Sequence, residues 1–199
     1  MSWRVPVDMT TTVDLVKKIC LMGDSGVGKT SLIRRFVLDV FDDSYTTTIG
    51  AKVTKKPTIL YLPERDLQVN LGLIIWDVAG QRDYKMFHEV YLKGMEGALV
   101  VADLSRQNTF SGLKSIMTIA DRAAANVPMI FLMNKCDLAE PSPDDLKDVR
   151  TLASQRGIPV LATSAKTGMN VELAFNQLGR KVVENWLEKK EKRAAAEEE

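Results

Sequence analysis

The chain has little of what metal sites and nucleophilic catalysis usually require. Its 199 residues include one histidine, His88, and two cysteines, Cys20 and Cys136. One histidine leaves His-based zinc sites and catalytic triads without material, and His88 is read on a solvated helix face. The two cysteines are far apart, in or beside apolar strand-like runs. That argues against a disulfide framework or a cysteine metal site and suits a reducing, cytoplasmic compartment. No stretch approaches the length of a membrane span, and Met1-Ser2-Trp3-Arg4-Val5-Pro6 has no apolar signal core. An excess of charge is missing too. The 27 Lys and Arg against 26 Asp and Glu are well mixed and leave a net charge of +1, which points to no nucleic-acid or membrane-surface partner. The length suits one domain with a sizeable core.

The chain does carry Gly23-Asp24-Ser25-Gly26-Val27-Gly28-Lys29-Thr30, which fits G-x-x-x-x-G-K-[ST]. Leu15 to Met22 before it reads as a strand, and Ser31 to Leu38 after it as a helix start. This is the context a phosphate-binding loop needs. Glycines let the backbone turn tightly and approach a ligand with no Cβ in the way. Consecutive N–H groups then converge on one spot, and the helix N-terminus adds the positive end of its dipole. Lys29 supplies a point charge for terminal phosphates. The hydroxyl of Thr30 can sit on the Mg²⁺ that accompanies a nucleoside triphosphate.

Beyond that loop, apolar runs alternate with amphipathic ones. Val53–Leu62 and Leu67–Trp76 read as strands joined near Pro63-Glu64-Arg65-Asp66, and Arg82–Leu92 as a short helix. Gly97–Asp103 and Pro128–Met133 are continuous apolar runs, as strands buried on both faces should be. Asn108–Ala125 is helical, with Phe110, Leu113, Ile116, Met117 and Ala120 on one face. A helix from Pro143 to Arg156 should end at Gly157, a natural C′ residue. Ile158–Ala162 is the last strand, and Val171 to about Arg193 the closing helix. Such alternation predicts an α/β fold with a mostly parallel six-stranded sheet and helices on both faces. Ligands bind such sheets at the carboxyl ends of strands.

Three further motifs fall at those ends. In Trp76-Asp77-Val78-Ala79-Gly80-Gln81, Asp77 can hold Mg²⁺, Gly80 can offer its N–H to a γ-phosphate, and Gln81 can orient a water. In Asn134-Lys135-Cys136-Asp137, a carboxylate can accept from the N1–H and exocyclic amine of guanine. Adenine presents the wrong donors there, so the contact discriminates strongly. The stem of Lys135 can lie over the base. In Thr163-Ser164-Ala165-Lys166, backbone N–H groups can meet the guanine carbonyl oxygen.

Together these residues resemble the Ras-like small GTPases, and among them the Rab-like branch, from about Val13 to Trp186. The resemblance implies a P-loop NTPase (G domain) over residues 13–187, flanked by an N-terminal extension, 1–12, and a charged tail, 188–199. It implies GTP or GDP with Mg²⁺ as ligands, bound by Gly23, Asp24, Ser25, Gly26, Val27, Gly28, Lys29 and Thr30, with Ser31 near the α-phosphate. Phe41 matches the aromatic that stacks on the guanine edge, Tyr45 a tyrosine near the phosphates, and Thr48 the threonine closing over metal and γ-phosphate. Thr30, Thr48 and Asp77 are the implied metal residues. Asn134, Lys135, Asp137, Ser164, Ala165 and Lys166 are the base-recognition positions. Catalysis falls to Gln81, Lys29 and Thr48. Protein effectors, an exchange factor and a GTPase-activating protein are the implied partners of a monomer. Tyr91 to Ala98, with Asp103 and Phe110, has a Rab-like cadence.

Three departures stand out. Rab and Ras proteins usually end in prenylated cysteines, whereas this tail is Glu188-Lys189-Lys190-Glu191-Lys192-Arg193 and on to Glu199, and residue 2 is serine. No direct lipid anchor is expected from that. The Thr48–Asp77 segment is several residues longer than in Ras, around Lys55 to Asn70. Arg82 and Asp83 follow Gln81 where the family often has Glu-Arg, and Val78 replaces a common Thr. Two other classes stay open on the residues alone: an ATP-using P-loop enzyme, and a scaffold that binds GTP or GDP and scarcely hydrolyses it.

Overall fold

A computed structural model describes residues 11–42, 47–80, 90–139, 144 and 146–197. The expected helix at 82–92 therefore lies largely outside the described residues, as do Tyr45, Gln81 and His88.

Six strands form one sheet among the described residues: β1 (Thr11–Gly23), β2 (Ala51–Leu62), β3 (Leu67–Val78), β4 (Gly97–Asp103), β5 (Met129–Asn134) and β6 (Val160–Ala162). Their order is β2-β3-β1-β4-β5-β6. Only β2 runs antiparallel, as the partner of β3 in a hairpin. The other pairings are parallel. The helices are α1 (Lys29–Leu38), α2 (Leu113–Ala123), α3 (Lys147–Ser154) and α4 (Val171–Glu197).

Two apolar layers sandwich the sheet. On one face Leu32 and Ile33 of α1, with Phe175, Leu178 and Val182 of α4, pack on Ile19, Leu21, Leu73 and Ile75. On the other, Leu113, Met117 and Ala120 of α2, with Val149 and Ala153 of α3, pack on Cys20, Val100 and Phe131. β4 and β5 are buried at every position, as their unbroken apolar sequences require. Along β3 every second residue is fully buried, because only one face of the hairpin is covered by helix.

The extra length between Thr48 and Asp77 is a long regular hairpin, paired from Ala51↔Val78 to Leu62↔Leu67. Its turn reaches α4: Arg180 bonds Glu64 at 2.7 Å, and Arg65 pairs with Glu191. α4 runs on through Glu197, so residues 188–197 continue the helix beyond the expected 193. At the other end, Thr11 and Thr12 already belong to β1 and pair with Leu67 and Gln68.

Other boundaries shift for local reasons. The helix expected from Asn108 starts at Leu113, because Thr109 sits in a 3₁₀ turn. Its hydroxyl receives the Asp103 N–H at 3.0 Å and donates to the Arg106 carbonyl at 2.7 Å, competing with helical bonding. Gly157 does act as C′: its N–H bonds the Ser154 carbonyl and the Ile158 N–H bonds that of Ala153, at φ 62°.

Cys20 is fully buried, and burial pushes its thiol up to about 12. Cys136 is half-buried, and burial followed by the Asp137 charge raises it less far. Alkylation of the folded protein at pH 8 should therefore label Cys136, slowly, and leave Cys20 unmodified until denaturant is added. Peptide mass mapping checks this; a native Cys20 adduct would contradict the packing of β1.

Candidate functional site

A cavity of about 370 Å³ opens at the carboxyl ends of β1, β3 and β5. Its lining includes Ser25, Gly26, Gly28, Lys29, Thr30 and Ser31 from the first loop and helix. Phe41 and Thr48 come from the segment after α1, Gly80 from the end of β3, and Asn134, Lys135, Asp137, Ala165 and Lys166 from the loops after β5 and β6. Five segments thus meet at one opening. Gly23, Asp24, Val27, Asp77 and Ser164 stand just behind that lining, as the bonds below show.

The loop after β1 is braced from within. Lys29 is almost fully buried, and its ammonium donates to the carbonyls of Gly23 and Asp24 at 2.9 and 2.8 Å. Burial pulls this ammonium down to about 8, while Asp77 and Asp24 hold it up. A phosphate at the loop would restore the charge that burial disfavours. Two glycines permit close approaches that a Cβ would prevent. Gly28 has φ 96°, and a Cβ there would lie 2.3 Å from Asn134 Nδ2. A Cβ on Gly80 would lie 2.5 Å from the carbonyl carbon of Asp24, so the end of β3 rests directly on the phosphate loop.

Below this loop, hydroxyls and a carboxylate from three elements converge. Thr30 Oγ1 donates to Asp77 Oδ2 at 2.5 Å and lies 3.0 Å from Thr48 Oγ1. Burial raises the Asp77 carboxyl, although Thr30 and Lys29 draw it down. Asp77 Oδ1 is buried with no hydrogen-bond partner. An orphaned buried carboxylate oxygen beside two hydroxyls is a set of hard oxygen donors, and that chemistry fits Mg²⁺, which takes few protein ligands and completes its shell with water and phosphate. No cluster of three or more His, Cys, Asp or Glu that could hold a metal ion occurs among the described residues.

The far end of the cavity is a buried polar network. Asn134 Nδ2 donates to the Val27 carbonyl at 2.8 Å, and Asn134 Oδ1 receives Thr163 Oγ1 and the Ala165 N–H, both at 3.3 Å. Ser164 Oγ donates to Asp137 Oδ1 at 2.6 Å. The residues that the sequence places around a base are therefore bonded to one another and to the phosphate loop. Phe41 packs partly buried against the core beside the opening.

Three features were missed by sequence reasoning. Asp103, fully buried at the end of β4, receives Lys135 Nζ at 2.7 Å and Arg106 Nε at 2.8 Å. Arg106 also bonds the Ser25 carbonyl at 2.8 Å, tying β4 to the phosphate loop. Burial pushes the Asp103 carboxyl up, but bonds from Lys135, Ser105 and Arg106 outweigh it and hold the group below the usual carboxylate range. Its stabilising contribution is complete above that range and fades as acid titrates the folded-state carboxylate. Arg35 bonds the carbonyls of Ala165 and Lys166. Arg34 lines the cavity and lies 3.4 Å from Asp42. An aspartate ending an apolar run was visible in the sequence; its pairing with Lys135, and the reach of Arg106 to Ser25 and of Arg35 to Ala165, were not.

Comparison with known proteins agrees with this architecture. The Ras family model matches residues 18–184. The Ras-related protein RIC1 of Oryza sativa subsp. japonica is 40% identical over 168 residues, covering 84% of this chain and 80% of that protein. Ras-related protein Rab-31 of Rattus norvegicus is 35% identical over 166 residues, covering 83% and 82%. Ras-related protein Rab-13 of Mesocricetus auratus is 36% identical over 176 residues, covering 88% and 84%. The chain belongs to the Ras family, as a Rab-like small GTPase that binds GTP and GDP with Mg²⁺ and slowly hydrolyses GTP.

Proposed function

We propose that the residues brought together at this cavity work as a timed binding switch, with hydrolysis as its clock. The observation that carries the reading is the meeting of Thr30, Thr48 and Asp77 around an orphaned Asp77 oxygen, at the phosphate end of a cavity whose other end holds Asn134 and Asp137. Both ends match the parts of one guanine nucleotide.

In this reading Lys29 and the amides of Gly23 to Thr30 hold the β and γ oxygens and stabilise charge as the terminal bond breaks, with Ser31 near the α-phosphate. Thr30, Thr48 and Asp77 hold Mg²⁺, which neutralises charge on the phosphates when bound. Gly80 offers its N–H to the γ-phosphate, and Gln81 orients the attacking water in line. The family resemblance assigns Tyr45 to the phosphates and Phe41 to the base edge. Lys135, its ammonium held by Asp103, spreads its stem over the base, and Asp137 reads its N1–H and amine. Loss of the γ-phosphate removes the hold on Thr48 and Gly80, which releases the surfaces that protein partners read. Effectors, an exchange factor and an activating protein are the partner classes. The unpaired cysteines support a cytoplasmic setting. No helix among the described residues is long and apolar enough to cross a membrane.

No arginine occurs from Asp39 to Thr48, so that segment supplies no cationic finger in cis. A partner arginine is worth about 10³–10⁵ in rate, or roughly 4–7 kcal/mol of barrier. Single-turnover hydrolysis by the purified protein should therefore be slow, and slower still in Gln81→Ala, with nucleotide affinity retained. Fast turnover, or a Gln81→Ala variant as active as the parent, would contradict these roles.

A further inference from the structure

The turn that the sequence places over the guanine oxygen is braced from outside by α1. The guanidinium of Arg35 donates through Nε to the Ala165 carbonyl at 2.9 Å and through Nη2 to the Lys166 carbonyl at 2.6 Å. Its Nη1 bonds the carbonyl and carboxylate of Asp39, at 3.2 and 3.1 Å, where α1 ends and the 40–48 segment begins. One side chain, itself only 19% exposed, thus joins the root of that segment to the base turn. Gly168, at the far side of the turn, lies over its stem: a Cβ there would stand 3.8 Å from Arg35 Cδ.

The support is rigid. Leu32 and Ile33 fix α1 in the core, and Phe36 stacks on Phe175 of α4 at 4.1 Å with the rings 2° from parallel. The planar trans peptide does the rest. With the Ala165 carbonyl held toward Arg35, the Lys166 N–H of the same peptide unit must point the opposite way. Arg35 is separate from the inner supports of this turn, which come from Asn134 and Asp137.

We infer that Arg35 is a positioning residue for base recognition: it orients the Ala165–Lys166 peptide toward the guanine 6-oxygen and, through Asp39, ties that orientation to the root of the 40–48 segment, so that it governs how long nucleotide stays bound. A lysine cannot replace it, since one ammonium lacks the planar fork that spans three carbonyls and a carboxylate. The inference rests on the reading of the cavity as a guanine site with residues 164–166 over the base.

The test pairs a protein change with a ligand change. GDP and 6-thioguanosine diphosphate differ at the 6-position alone, where sulfur, a weak acceptor, replaces oxygen. In Arg35→Ala, release of GDP should speed up by about 10- to 100-fold, from the loss of charge-assisted bonds that hold the turn. The preference of the protein for GDP over the thio analogue should narrow about 2- to 10-fold, the worth of one ordinary hydrogen bond. Arg35→Lys, which keeps charge and stem, should show the same narrowing with a melting temperature close to wild type. Equal losses for both ligands would make Arg35 a merely structural brace and overturn the inference, as would unchanged release of GDP. A wild-type protein that binds GDP yet ignores the 6-position would overturn it as well, while one that binds no guanine nucleotide would overturn the underlying reading with it.

Discussion

Replacing Asp137 with alanine weakens binding of GDP and GTP by about 10²- to 10⁴-fold and leaves the melting temperature of the nucleotide-free protein nearly unchanged. The two halves of this expectation have different causes. A carboxylate facing guanine accepts two hydrogen bonds, each worth about 1.5–3 kcal/mol when one partner is charged. Their joint loss, about 3–6 kcal/mol, converts to the stated factor. Stability is different because Asp137 is itself exposed, on the loop after β5, and its resolved partner is the hydroxyl of Ser164. Fluorescent-nucleotide titration and thermal melting without nucleotide separate the two effects. A variant that binds like the parent would move base recognition away from Asp137. With nucleotide present the two proteins should melt further apart, because ligand stabilises only the one that binds it.

Asn134→Ala should be costly in both measurements. Asn134 is buried at 1% exposure, and its amide faces three partners at once. Removing it strands the Val27 carbonyl in the phosphate loop, together with Thr163 Oγ1 and the Ala165 N–H in the base turn. Buried polar groups left without partners cost about 1–3 kcal/mol each. Relaxation recovers part of that, so a loss of about 2–4 kcal/mol is expected. For a domain of this size that is a drop of roughly 5–15 °C in melting temperature. Affinity should fall as well, since Asn134 is the strut between the loop proposed to hold phosphates and the turn proposed to meet the base. The Gly28 backbone needs that strut too, as it packs where any Cβ would strike the amide. Thermal melting without nucleotide is the discriminating experiment: a melting temperature within 1–2 °C of wild type would mean the network bears less load than its burial implies.

The contrast between these two residues shows what a sequence can carry. The phosphate loop was legible because its chemistry is local: glycines, a lysine and a threonine at fixed spacing between a strand and a helix. Asp77 and Gly80 were legible for the same reason, as each ends a run of strand alternation. The sheet was legible too, down to the hairpin, where Leu67, Val69, Leu71, Leu73 and Ile75 alternate with half-buried neighbours along one strand. What escaped were contacts that no local pattern announces, several of them between partners far apart in the chain. Nothing local in Arg34-Arg35 distinguishes the arginine that lines the cavity from the one that braces the base turn 130 residues away. Asp103 read as the end of a buried strand, yet it anchors Lys135 and Arg106 together. Thr109 was read inside a helix, where only the tertiary position of the Asp103 backbone reveals that its hydroxyl is otherwise engaged. Residues Tyr45 and Gln81, assigned from motif alone, lie outside the described residues, and their roles rest on the proposed mechanism.

The measurement closest to the central claim is competition on the wild-type protein: displacement of a fluorescent GDP by GTP, GDP and ATP, with Mg²⁺ and with the metal chelated. If Asp137 reads the base and Thr30, Thr48 and Asp77 serve the metal, GTP and GDP displace the probe at stoichiometric levels. ATP then fails even at about 10³-fold excess, and chelation speeds release. Displacement by ATP as readily as by GTP, or release indifferent to chelation, would contradict the account at the base or at the metal respectively.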